Sequence, residues 1–157
     1  MLAAACGKID PADWQPEKVK LYNEDEDGRP LRWSNSPSMS FYELVLRRQT
    51  IEAIPDLLSQ AGCTLLRLDC NETALALVKP RIVDALDEAR TIFKRYPGSK
   101  DIMYVVEYAF LPQRVASELI FKVPQKDILA TFVTDRFITG WQAAGMRGTD
   151  FLLAWEG

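Results

Sequence analysis

The stretch Met103-Tyr104-Val105-Val106-Glu107-Tyr108-Ala109-Phe110-Leu111 is the most strand-like segment of the chain. Large apolar side chains recur at every second position, and a β-strand directs alternate side chains to opposite faces. The residues predicted to share its core-facing side are Tyr104, Val106, Tyr108 and Phe110. A proline follows directly and ends the strand.

Three further strands are predicted downstream, at Leu119–Val123, Leu129–Val133 and Phe151–Trp155. Short connections join most of these segments. Parallel strands need long crossovers, so the sheet is predicted to be mainly antiparallel. Two helices, over residues 80–95 and 135–144, are expected to pack on it. The predicted fold class is therefore α+β, with residues 1–157 forming a single domain.

The segment before residue 80 carries clear local signals. Ile51, Ile54, Leu57 and Leu58 recur at helical spacing, with Pro55 suited to a first helical turn and Gly62 suited to a C-terminal cap. Strands are predicted at Thr64–Leu68 and Thr73–Val78. Upstream, Ser40 and Glu43 fit a capping box, but the apolar run Phe41–Leu46 fits a strand equally well.

Two later helices are predicted from their apolar faces. The first begins at Pro80 and presents Ile82, Val83, Leu86 and Phe93 on one side, with acidic residues early and basic residues late. The second begins after Thr134 as its cap and ends at Gly145. The residues forming its core stripe are Phe137, Ile138, Trp141 and Ala144.

Residues 1–40 form an irregular N-terminal part that contains the densest charge cluster. The Asp-Gly step at residues 27–28 predicts a turn between two short strands near residues 19–21 and 31–33. We expect this region to contribute a partner-binding face, because exposed aromatics anchor partners and carboxylates steer them. The residues assigned to that face are Trp14, Glu24, Asp25, Glu26, Asp27 and Trp33. The alternative is a solvated turn whose tryptophans pack on the sheet.

Composition excludes several kinds of chemistry. The chain has no histidine, which removes Ser-His-Asp and Cys-His catalysis and histidine-ligated zinc. Its net charge is −3, and a nucleic-acid-binding protein normally has a basic excess. Cys6, Cys63 and Cys70 lack zinc-site spacing, and an odd number argues against a disulfide framework. We expect free thiols, no metal, no cofactor and no nucleic-acid partner.

Targeting signals are weak. No apolar run approaches the ~20 residues of a membrane span. Small residues before Cys6 resemble the end of a lipoprotein signal, but a signal also needs a basic region and an apolar stretch of about 7–15 residues. With Met1 as the native start, the cytoplasm is the expected location. A trimmed export signal before Cys6 is the alternative.

Residues 118–155 combine a predicted strand, a Thr134-Asp135 helix start, an Ala144-Gly145-Met146-Arg147-Gly148 segment and a predicted closing strand with Phe151. This combination resembles the end of certain bacterial immunity proteins of polymorphic-toxin systems. It implies a non-catalytic protein, active in interbacterial competition, that binds and blocks a cognate toxin. It supplies no site residues.

The sequence supports three hypotheses about function. An immunity protein that neutralises a toxin or secreted effector is the first. The alternatives are a small enzyme that uses carboxylates or Cys63, and an adaptor or chaperone for a secreted effector.

Overall fold

The fold is known from a computed structural model, which describes residues 11–39, 43–125 and 128–157. After a short 3-10 turn at Pro11–Asp13, the helices in these ranges are α1 (Arg48–Ala53), α2 (Pro55–Ala61), α3 (Pro112–Val115) and α4 (Asp135–Ala143). The strands are β1 (Val45–Arg47), β2 (Thr64–Leu68), β3 (Leu75–Lys79), β4 (Arg81–Ile82), β5 (Ile92–Arg95), β6 (Ile102–Glu107), β7 (Ile120–Lys122) and β8 (Phe132–Val133). The predicted α+β class is confirmed.

The strands form three small sheets. β3 lies between β1 and β2, antiparallel to both. β7 lies between β4, to which it is parallel, and β8, to which it is antiparallel. Among the described strands, β5 and β6 pair only with each other. The prediction of one sheet was wrong, because α3 begins at Pro112 and turns the chain away, so β6 pairs with β5 and not with β7.

The buried apolar side chains of the described residues form three hydrophobic clusters. Neighbouring side chains on β7, and likewise on β3, lie on opposite faces of the strand and belong to different clusters. Ile120 enters the central core, whereas Phe121 on the opposite face of β7 enters the aromatic core. The central core consists of Leu46, Ile54, Leu58, Ala61, Val78, Leu119, Ile120, Phe137 and Trp141. The aromatic core consists of Ala85, Leu86, Phe110, Phe121, Val123, Ile128 and Phe132. On β3, Val78 joins the central core and Leu77 joins the N-terminal core, with Val45, Leu66, Leu68 and Leu75.

Several local predictions are confirmed. Pro55 is the first residue of α2, where a missing N–H costs little, and Gly62 ends it with φ 60°, a conformation that favours glycine. β2 has its predicted bounds. Phe137 and Trp141 are buried on one side of α4. The Thr134 hydroxyl donates to the Glu118 carbonyl, 2.9 Å away, and so joins α4 to the segment before β7.

The helix predicted over residues 80–95 is wrong. Arg81 and Ile82 pair with β7, and Arg81 also binds the buried Glu118 carboxylate at 2.7 Å. Further on, the Asp87 carboxylate accepts from the backbone N–H groups of Ala89 and Arg90. These side-chain hydrogen bonds compete with the backbone hydrogen bonds of a helix, and they stabilise a turn instead. Tertiary pairing and the turn together replace the helix.

The core-facing side predicted for β6 is also wrong in part. Tyr104 and Val106 are 54% and 60% exposed, whereas Val105 packs towards the aromatic core. Ile92 pairs with Glu107 and Phe93 with Val105, so Val106 is an extra residue in the ladder. Such a bulge reverses the alternation. Tyr108 and Phe110, beyond the bulge, therefore face inward as predicted.

No strand forms at residues 151–155. Phe151 packs against Trp141, and Trp155 packs against Phe110 with ring centroids 5.8 Å apart. Aromatic contacts hold this segment, since none of the described strands pairs with it. The capping-box alternative concerns residues 40–42, which lie outside the described residues. The strand alternative for this run is confirmed for Val45 and Leu46 in β1.

Candidate functional site

The acidic run, residues 24–27, lies in a turn whose two ends are joined by backbone contacts. We call residues 23–31 the acidic turn. The N–H of Leu31 donates to the Asn23 carbonyl at 2.7 Å, and Glu24 forms a bridge with Pro30. Gly28 adopts φ 74°, as the Asp-Gly signal predicts. The predicted pairing of residues 19–21 is wrong, because Val19 instead donates to Asp69 at the end of β2.

The four carboxylates of this turn have different roles. All are exposed. Asp25 accepts from the backbone N–H groups of Asp27 and Arg29, at 2.9 and 2.8 Å, and so stabilises the turn. Asp27 lies 3.4 Å from the Arg29 guanidinium. The side-chain carboxylates of Glu24 and Glu26 have no hydrogen-bond or ion-pair partner among the described residues, and they are the carboxylates available to a binding protein.

The two tryptophans assigned to the partner-binding face also differ. The Trp14 indole N–H donates to the Arg67 carbonyl at 2.7 Å, and its ring packs on the N-terminal core. Trp33 is 54% exposed, and the Arg47 guanidinium lies 5.4 Å from its ring centroid. Trp33 follows the acidic turn in sequence, with Arg32 between them. The structure ties Trp14 to β2 and places the exposed Trp33 ring against Arg47.

A second exposed surface was not identified from the sequence. We call residues 90–107, which contain β5 and β6, the basic arm. Phe93 faces Val105, and both pack towards the aromatic core. The opposite face carries Lys94 opposite Tyr104, with Ile92 and Val106 beside them. Ile92 is 50% exposed, comparable to the other apolar residues of this outer face.

The arm has an excess of basic residues. Residues 90–100 contain Arg90, Lys94, Arg95 and Lys100 and no acidic residue, and the rest of the arm adds the acidic residues Asp101 and Glu107. The Arg95 guanidinium lies 5.1 Å from the Phe93 ring centroid and donates to the Lys100 carbonyl. Within the described part of the chain, no ion pair neutralises these four side chains. The signal in the sequence was this basic run, which the helix prediction concealed.

A cleft of ≈ 380 Å³ lies at the base of the arm. It separates the start of the arm from the C-terminal segment. Its lining residues are Arg90, Glu107, Tyr108, Ala109, Leu153, Ala154, Trp155 and Glu156. The charged groups have mixed signs, so the cleft presents no single-charge binding site.

Burial changes the pKa of two side chains near the core, Glu43 and Cys63. Burial raises the pKa of Glu43, and the nearby Lys122 ammonium opposes this effect. Burial also raises the pKa of the Cys63 thiol. A raised pKa leaves less thiolate at neutral pH, whereas a nucleophilic cysteine needs more. Cys63 and Cys70 are free thiols, and Cys6 lies outside the described residues.

In the ranges described, no three acidic or cysteine side chains are grouped closely enough to hold a metal ion. None of the helices in those ranges combines the length and apolar character needed to cross a membrane.

The chain matches no protein-family model, and no curated protein matches it significantly. The resemblance of residues 118–155 to immunity proteins therefore stays a prediction from the sequence.

Proposed function

We propose that this protein is a non-catalytic immunity protein that binds and neutralises a cognate bacterial toxin in the cytoplasm. The observation that carries the proposal is the exposed Trp33 ring, which follows the acidic turn in sequence after Arg32. A large aromatic ring supplies desolvated contact area, and its two rotatable bonds lose little entropy on binding.

The charge of this surface indicates the kind of toxin. Glu24 and Glu26 extend from a turn that Asp25 stabilises. Exposed carboxylates at the rim of an interface raise the association rate with a basic partner more than they raise affinity. The toxin is therefore expected to present a basic surface.

The thiol-enzyme alternative has less support. Burial raises the pKa of Cys63, and its Sγ lies 3.5 Å from the Leu58 carbonyl, to which the thiol donates. Both features favour a packed, protonated thiol.

Co-expression with the product of the adjacent gene, as the candidate toxin, tests the proposal. Wild-type protein should restore growth, and Trp33→Ala should restore it less well at equal protein level. A double variant, Glu24→Gln with Glu26→Gln, should bind more slowly and with a weaker salt dependence. Its matched control is Asp84→Asn with Asp150→Asn, which makes the same charge change elsewhere. Full toxicity in the presence of the wild-type protein would refute the proposal.

A further inference from the structure

We infer that the basic arm is a second toxin-binding element, and that it enters an acidic cleft on the toxin. This inference rests on the proposed function. Its starting point is the way in which the arm is attached. At its base, Leu86 forms a bridge with Phe110, and both side chains lie in the aromatic core. The far end has only β5 and β6 paired with each other.

The outer face of the arm has the composition of an interface centre. Ile92, Tyr104 and Val106 are each at least half exposed, and they lie together on one side of a two-stranded ribbon. Tyr96, near the tip, is also 51% exposed. Aromatic residues are enriched at interfaces, and clustered apolar residues on a protein surface mark interaction sites. Phe93 and Val105 supply the arm's attachment to the core, so the outer face is not needed for it.

The charge of the arm indicates which kind of partner surface it binds. Lys94 lies within the outer face, opposite Tyr104, and Lys100 lies at the tip. The arm carries four basic side chains between residues 90 and 100 and two acidic ones, Asp101 and Glu107, and this basic excess favours an acidic partner surface. The acidic turn has the opposite sign. The toxin should therefore carry a basic region facing Trp33 and an acidic region facing the arm.

The outer face of the arm is small, and this favours a concave partner surface over a flat one. A ribbon of two short strands presents a face on the order of 200 Å², from strand spacing and rise. A standard interface buries about 800 Å² on each partner. A flat surface, including the same face of a second copy, would bury too little. A cleft that encloses the outer face and the tip buries more.

The test measures toxin binding by three variants of the full chain. Lys94→Glu with Lys100→Glu reverses the charge at two positions of the arm, and Tyr104→Ala with Val106→Ala removes the apolar face. The control is Arg114→Glu with Arg136→Glu, which reverses two exposed basic residues on helices α3 and α4. We expect both arm variants to weaken binding at least ~10-fold. The charge variant should also bind more slowly at low salt, while the control binds as wild type.

The outcomes separate the inference from the proposed function. Wild-type binding that both arm variants retain within about twofold overturns the inference alone. No binding by wild type overturns the proposed function together with the inference. The melting temperature of each variant, expected to match wild type because these side chains are exposed, excludes misfolding. Arm-dependent binding of a 20-nucleotide oligothymidylate, with toxin binding unchanged, would assign the arm to single-stranded nucleic acid and overturn the inference.

Discussion

The Thr91 hydroxyl accepts a hydrogen bond from the backbone N–H of Ala109, 3.2 Å away, where the two strands of the basic arm join the core. The same hydroxyl donates to the Asp87 carbonyl at 2.7 Å. Thr91 and Ala109 are both buried. One side chain thus satisfies a buried backbone N–H at the point where the turn at residues 87–90 interrupts the ladder.

Replacing Thr91 with valine keeps the shape of the side chain and removes its hydroxyl. The buried N–H of Ala109 then has no partner, which should lower the free energy of unfolding by about 1–3 kcal/mol. Urea denaturation measures this change. Thr64→Val, on the exposed side of β2, is the control and should change stability by less than about 0.5 kcal/mol. Equal effects of the two substitutions would contradict this role of Thr91.

Asn35 joins three parts of the chain. Its side-chain carbonyl accepts from the Arg147 N–H at 2.7 Å, its amide donates to Thr50 at 3.1 Å, and its backbone carbonyl accepts from Arg47. Asn35→Ala leaves buried groups unpaired and should cost about 2–4 kcal/mol. Asn71→Ala, in the exposed turn between β2 and β3, is the matched control. A similar loss in both variants, measured by thermal unfolding, would show that Asn35 has no special role.

Stability should depend on pH through Glu43. Its pKa is raised in the folded state by burial, with a further rise from Glu17 and an opposing effect of Lys122. A raised folded pKa contributes stability that is complete below the unfolded value of 4.5 and is lost as pH rises through the folded value. Glu43→Gln removes this contribution, so its stability relative to wild type should be greater at pH 7 than at pH 4. The exposed Glu156→Gln should change less between these pH values, and a reversed difference for Glu43→Gln would refute the account.

The two tryptophans should separate stability from binding. Trp14→Phe loses the hydrogen bond to Arg67 and should lower the free energy of unfolding by about 0.5–1.5 kcal/mol, with toxin binding unchanged. Trp33→Ala should leave unfolding nearly unchanged and weaken binding at least ~10-fold. Calorimetric titration and urea denaturation of both variants provide the measurements. Reversed effects would place the binding anchor at Trp14.

Local sequence signals correctly predicted helices α2 and α4. Pro55 and Gly62 define α2 because each has a restricted or unusual backbone conformation, and Phe137 and Trp141 define the buried side of α4. The segment from Pro80 to Arg95 was misassigned because its apolar residues fit a helix period. Pairing of Arg81 with β7 and the turn stabilised by Asp87 depend on contacts that a local pattern does not contain.

The candidate site was predictable to a similar extent. Composition located the acidic turn, and Trp33 is exposed as the binding hypothesis requires. The same reasoning did not separate Trp33 from Trp14, because the acceptor for the Trp14 indole lies on β2. The basic arm depends on the bulge at Val106, which turns Tyr104 outward and Tyr108 inward. One extra residue in a ladder leaves no recognisable signal in a hydrophobicity pattern.

Titration of the purified toxin's activity with this protein tests the central claim most directly. A stoichiometric inhibitor should reduce toxin activity in proportion to the amount added, reaching full inhibition near one equivalent. Trp33→Ala should shift the titration towards weaker binding without changing its end point. Full loss of toxin activity at a small fraction of one equivalent, continuing with time, would indicate catalysis and contradict the account, as would no loss at excess protein.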